Sequence, residues 1–245
     1  MNPFSLRNFS IITALVLTGG FALAFFYAPL DQEGFIQKIF YLHVPLAIVA
    51  LLGFLVAAVH AIRHLRSGDP IHDARSYVSI HLSIILGVAV LVTGGIWAKA
   101  QWGKWWVWDE PTLVSFLIVF LLYCTYYPLR YAIEDRERQA RYASVFAVTA
   151  GAFVPLNFAA VRMADPFIHP RTFSSAGGLP GEMLVTFLVC LVGMAMLWTA
   201  LVRYELASKL TSARISRLRR ALEDEPASSR PSRIAPLGDA GPARS

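Results

Sequence analysis

Histidine and tryptophan are the residues through which this 245-residue chain can do chemistry. Five of its six tryptophans (Trp97, Trp102, Trp105, Trp106, Trp108) fall in the thirteen residues Trp97–Asp109, reading W-A-K-A-Q-W-G-K-W-W-V-W-D. Indole rings at this density offer a flat apolar surface. Six histidines accompany them, and an imidazole nitrogen is a metal donor. Tryptophan also gathers at membrane interfaces because its ring is amphipathic. One or two would mean only that. Five, with Gly103 in their midst and Asp109 at the end, exceed what anchoring requires and point to a surface for a flat ligand.

The elements that position these residues are membrane helices. The chain is 56% hydrophobic and only 16% charged, with mean hydropathy +0.52, whereas soluble domains carry about 25% charged residues. A bilayer core takes about 20 apolar residues per helix. Six such runs are present, at 9–29, 42–62, 77–97, 111–131, 142–161 and 183–203. None shows the alternation of a membrane barrel. The expected fold is an all-α integral membrane protein, a six-helix bundle over residues 1–205. Residues 206–245 are expected to be a basic, largely disordered cytoplasmic tail, with a helical extension before the Pro/Ser/Ala/Arg-rich stretch that begins at Glu225. The first run reads as an uncleaved helix rather than a signal peptide.

The formal net charge of +6 and pI near 9.5 suggest nucleic acid at first sight. The placement of charge argues otherwise. With the N-terminus inside, the inside segments hold 17 Lys/Arg and the outside loops 5 (Lys38, Lys99, Lys104, Arg162, Arg171). The positive-inside rule therefore puts both termini in the cytoplasm and the tryptophan segment outside. Cys124 and Cys190 lie within helices and form no C-x-x-C motif. They read as small apolar residues, with a membrane thiol–disulfide electron carrier as the competing reading.

This topology sorts the histidines. His60, His64, His72 and His81 fall inside. His60 and His64 are spaced i, i+4 but have no third ligand, so they read as a solvated rim. His43, in Y-L-H-V-P, lies at the outer mouth of the second helix, whose first turn Pro45 suits. His169 lies in the third outside loop. The two outer histidines flank the tryptophan segment from different elements, as axial ligation of a flat macrocycle requires. Haem is held by axial side chains, often histidine, and by apolar contact. Thr93, Gly94 and Gly95 are small enough to let helices or a flat ligand approach closely. Trp102, Trp105 and Trp106 would share one face of a short interfacial helix. Asp109 would either cap the fourth helix or accept an indole N–H. Pro155 is expected to kink the fifth helix, with Asn157 as a partner for the freed backbone. Lys99, Lys104, Arg162 and Arg171 are the cations available to propionates.

W-G-K-W-W-V-W-D at 102–109 resembles the tryptophan-rich signature of the haem-handling protein family of cytochrome c biogenesis, and Y-L-H-V-P at 41–45 resembles the segment with its first external histidine. The length and six helices resemble the CcmC branch. CcmF and CcsA are longer, with more helices. The likeness covers most of residues 35–205. Two positions depart from the family pattern: Pro111 stands where an arginine is usual, and no tryptophan pair precedes His169. The resemblance implies a bacterial inner-membrane subunit that holds haem b as transient cargo at its outer face. It implies His43 and His169 as axial ligands, and Trp97, Trp102, Gly103, Trp105, Trp106, Trp108 and Asp109 as the platform. It further implies an ABC-type complex with CcmA, CcmB and CcmD, and transfer of haem to the chaperone CcmE. With no Walker A motif, this chain is expected to be a non-catalytic binding and transfer subunit. The remaining alternative is a structural membrane subunit whose tryptophans only anchor it.

Overall fold

A computed structural model describes residues 3–164, 168–169 and 178–223. Every element among these residues is helical. The chain divides into two compact units, residues 1–206 and 207–245. In the first, α1 spans Pro3–Phe26, and a 3₁₀ turn at Gly34–Ile39 leads directly into α2, Phe40–Ser67. Then come α3 (Pro70–Trp102), α4 (Pro111–Cys124), the short α5 (Tyr126–Tyr131), α6 (Arg136–Met163) and α7 (Gly181–Glu223). Among the described residues, six helical stretches are long and apolar enough to cross a membrane, with α4 and α5 counting as one. The six-helix reading of the sequence thus holds. In the second unit, residues 207–223 belong to α7 and carry five Lys/Arg. The stretch expected to be disordered, from Glu225, lies outside the described residues.

Helix boundaries follow local chemistry. Asp69 caps α3 by accepting the Ile71 N–H (2.9 Å), and Pro70 occupies the first turn, where its missing N–H costs nothing. Glu110 and Pro111 start α4 in the same way. Asp135 caps α6. Pro45 departs from expectation. It lies inside α2, five residues past its start, rather than in the first turn. The 3₁₀ turn supplies acceptors for the Phe40 N–H, and the helix thereby begins earlier than the proline suggests. Pro45 deletes one bond, to the Tyr41 carbonyl. Lys38 braces this junction, its buried ammonium donating to the Ala28 carbonyl at 2.6 Å.

Small residues bring the helices together. The largest contact surfaces join α2 to α3 and α2 to α6. Ala57, Ala58 and Ala61 on α2 pack in one cluster with Ala143, Ala147, Ala150 and Gly151 on α6. A Cβ at Gly151 would collide with that of Ala58, and one at Gly53 would collide with Ser83 Oγ on α3. Lipid tails give helices no hydrophobic reason to associate, so close van der Waals approach must do it. Phe54 of α2 also stacks on Tyr123 of α4 (centroids 3.7 Å apart). α6 continues past Pro155 to Met163. Asn157 donates to the Ser115 carbonyl and hydroxyl, and so ties α6 to α4.

At the end of the bundle opposite the tryptophans, polar residues tie the helices. Arg130 grips Asp73 of α3 with two parallel bonds of 2.7 and 2.6 Å, donates to Tyr126 and stacks on Tyr77. His64, expected on a solvated rim, is buried and bonded to Ser144 on α6 (2.8 Å). His60 instead stacks on His72 (centroids 5.7 Å), and His81 pairs with Glu205 (2.8 Å). His60 and His64 thus face different partners. Among the described residues no group of three His, Cys, Asp or Glu can hold a metal ion. Cys190 packs against Gly20 of α1, and Cys124 lies on α4; both thiols are free.

The Asp73–Arg130 pair is part-buried, so removing one partner strands the other charge at a cost of about 3 kcal/mol, the low end for a buried pair. Asp73→Asn is therefore expected to lower the apparent melting temperature in detergent, and Asp73→Leu combined with Arg130→Met to recover most of the loss. Thermal unfolding of the three variants checks this.

Candidate functional site

The site begins where α2 and α3 come closest at the tryptophan end. His43 lies one turn into α2. Its Nδ1 is 2.9 Å from Thr93 Oγ1 on α3, and that hydroxyl donates to the Ala89 carbonyl one turn back (2.8 Å). The Cε1 edge of the ring faces Gly94, where a Cβ would come 2.8 Å from His43 Cε1. Gly94 is thus the seat of the imidazole, and Gly95 beside it admits the Trp105 backbone. One turn further along α3, Trp97 packs edge-on to Trp102 (centroids 4.9 Å). The His169 ring lies against both indoles, at 6.4 and 6.3 Å. His43 and His169 are close enough to interact electrostatically. The fold therefore brings both expected ligand histidines, Trp97 and Trp102 to one place.

The rest of the tryptophan segment differs from the expected interfacial helix. α3 continues five residues past Trp97 and ends at Trp102, capped by Gly103 at φ +71°, a conformation natural to glycine. The Gly103 N–H bonds back to the Lys99 carbonyl, and the Lys99 ammonium is taken up by the Gly103 carbonyl (2.9 Å). With α4 starting at Pro111, the intervening residues are too few for another helix, and they run irregularly. Trp102, Trp105 and Trp106 consequently share no helical face. Trp106 packs edge-on to Trp108 (5.9 Å), and its buried indole N–H has no partner among the described residues. Trp105 and Trp108 are 63% and 71% exposed.

Two carboxylates hold this surface, and neither is Asp109, which is exposed and takes no indole N–H. Glu33, before the 3₁₀ turn, accepts the Trp97 indole N–H at 3.1 Å, while its carbonyl accepts from Gln101 (3.3 Å). Burial pushes its carboxyl upward, aided by nearby Asp31 and opposed by the Trp97 N–H. Glu110 is fully buried. One of its oxygens caps α4 through the Thr112 N–H (3.1 Å), and the other accepts the N–H groups of Ile168 and His169 (2.8 and 3.0 Å). Burial disfavours its charge, but these donors prevail and hold the pKa down to about 2. Glu110 thus fixes the backbone at His169. The Glu-Pro-Thr sequence marked a helix start; its reach across 59 residues to His169 left no local signal.

Of the four cations considered, Lys99 is engaged by Gly103 and Arg162 lies over the Phe158 ring (5.0 Å). Lys104 is exposed and makes no hydrogen bond or ion pair among the described residues. Arg171 lies outside the described residues.

Hydrogen bonds to a charged acceptor are worth about 1.5–3 kcal/mol each. Glu110→Ala is expected to free the backbone at Ile168 and His169, raising their amide hydrogen exchange in detergent by at least about 10-fold, since 1.4 kcal/mol is tenfold. A depressed pKa stabilises above the unfolded value of 4.5 and ceases to do so as pH falls through about 2. Protection at these two amides should therefore persist at pH 5 and decline only in strong acid.

The profile of the CcmC family, described as heme exporter protein C, matches residues 3–221. Among curated relatives, the Heme exporter protein C of Rhodobacter capsulatus is 27% identical over 210 residues, covering 84% of this chain and 86% of the relative. That of Paracoccus denitrificans is 29% identical over 199 residues, 79% and 81% of the two chains. That of Escherichia coli is 32% identical over 148 residues, 60% of each. A match of this extent, on a chain with six membrane-capable helices, places the protein in the heme exporter protein C family.

Proposed function

We propose that this chain holds haem b as transient cargo at the surface formed by His43, His169 and the tryptophan segment, and presents it for cytochrome c maturation. The observation that carries this reading is the packing of His169 against Trp97 and Trp102, on the helix that also seats His43. Two imidazoles supply the iron donors. Trp97, Trp102, Gly103, Trp105, Trp106, Trp108 and Asp109 form the platform. Trp105 and Trp108 keep enough open ring surface to cover an apolar ligand. A large aromatic buries about 150–250 Å², and at about 25 cal/mol per Å² half-burying a few indoles stabilises the complex by several kcal/mol. The exposed Lys104 ammonium suits the propionates. Cargo must also leave, and an open surface permits that.

In this reading the protein sits in the bacterial inner membrane with both termini cytoplasmic and the haem surface facing the periplasm, as the bias of Lys and Arg favours. It works with the ABC-type subunits CcmA and CcmB and with CcmD, hands haem to CcmE, and performs no catalysis itself. The thiol–disulfide alternative finds no support in the packing, since Cys190 sits among apolar residues of α1, α2 and α7.

Optical titration of the detergent-purified protein with haem tests the proposal. Wild type is expected to give a low-spin bis-histidine spectrum that both His43→Ala and His169→Ala abolish. Loss in His43→Ala alone would remove His169 as second ligand, and absence of stoichiometric binding in wild type would overturn the reading. A Cys124→Ser/Cys190→Ser double variant is expected to support cytochrome c maturation.

A further inference from the structure

We infer that Thr93 is a positioning residue that sets the tautomer of His43, protonating Nδ1 and leaving the Nε2 lone pair for iron. The inference rests on the reading of His43 as an iron ligand. A neutral imidazole carries one N–H and one lone pair, and its hydrogen-bond partner decides which nitrogen holds which. A hydroxyl has a single proton. That of Thr93 is directed at the Ala89 carbonyl (2.8 Å), with Val90 O also near (3.2 Å). A carbonyl can only accept, so the proton lies between the two oxygens. Were it turned to His43 instead, two oxygen lone pairs would face each other at 2.8 Å in a poorly solvated site. The contact between His43 Nδ1 and Thr93 Oγ1 (2.9 Å) must then use the proton of the ring.

The resulting chain runs Nδ1–H to Oγ1–H to O=C. Each bond polarises the next, and a ring that donates through one nitrogen is a better base at the other. Gly94 completes the device from a separate direction, because a Cβ there would press within 2.8 Å of Cε1, the ring atom next to the Nδ1 that meets Thr93. Nothing else described on α2 or α3 hydrogen-bonds this imidazole through a side chain.

The test uses the full chain in detergent micelles, labelled with ¹⁵N-histidine and free of haem, with His43 signals identified by their loss in His43→Ala. Wild type should show a protonated Nδ1 and a bare Nε2. Thr93→Val keeps the shape without the hydroxyl and should shift His43 to the Nε2–H form. Thr93→Ser keeps the hydroxyl and should restore the wild-type pattern. Haem titration of the same proteins should show Thr93→Val binding about 10-fold or more weakly, the usual cost of losing such a support, with its low-spin spectrum diminished and Thr93→Ser recovering both. A bare Nδ1 in wild type overturns the inference, as does a Thr93→Val protein with unchanged tautomer or unchanged haem affinity. If Thr93→Val does not fold, the wild-type tautomer and the Thr93→Ser protein decide. Equal haem binding by wild type and His43→Ala would instead sink the ligation reading, and the apo spectra would still report on the tautomer.

Discussion

The arrangement at the tryptophan end depends on one buried carboxylate. Glu110 is out of contact with solvent at the start of a membrane-capable helix, where an uncompensated charge costs several kcal/mol. Its compensation comes from backbone N–H groups: Thr112 on its own helix, and Ile168 and His169 on the connection between α6 and α7. Two of these donors reach the charge only because Ile168 and His169 lie at the start of α4. Capping a helix and placing a histidine become one event. Trp97 and Trp102 then meet His169 from α3, held in turn by Glu33 through the Trp97 indole.

His43 reaches the same place by a different constraint. It is carried by α2, whose alanines and glycine allow close packing against α3 and α6. At that separation the imidazole edge on α2 fits against Gly94 and bonds to Thr93. The site thus combines a rigid half, built into the helix pair α2 and α3, with a half whose backbone at Ile168 and His169 is tied to the Glu110 carboxylate. The opposite end shows the same economy of polar groups. Asp73 with Arg130, His64 with Ser144, and His81 with Glu205 each join two helices where backbone groups are already satisfied.

Much of this was legible in residue types. Six apolar runs gave six spans because a bilayer demands about 20 apolar residues and an internally bonded backbone. Gly103 and Pro111 were visible in the sequence too, yet the 100° periodicity of Trp102, Trp105 and Trp106 suggested a helix that those two residues forbid. There, local backbone preference outweighs side-chain periodicity. Asp109 drew attention as the last residue of the tryptophan run, while its neighbour Glu110 does the work. Adjacent acids look alike in a sequence, and only burial distinguishes them.

The sequence by itself determined the class of the protein, its spans, and the residue types able to meet a flat metal-bearing ligand. These follow from composition and short-range pattern, which the bilayer and the backbone read locally. The tertiary structure decided which histidines could meet the tryptophans and which polar groups hold them there. His60 and His64 are near in sequence and turn to different helices, while Glu110 and His169 are 59 residues apart and share a hydrogen bond. Such pairings depend on buried charges and donors finding partners in three dimensions, and spacing along a chain does not encode them.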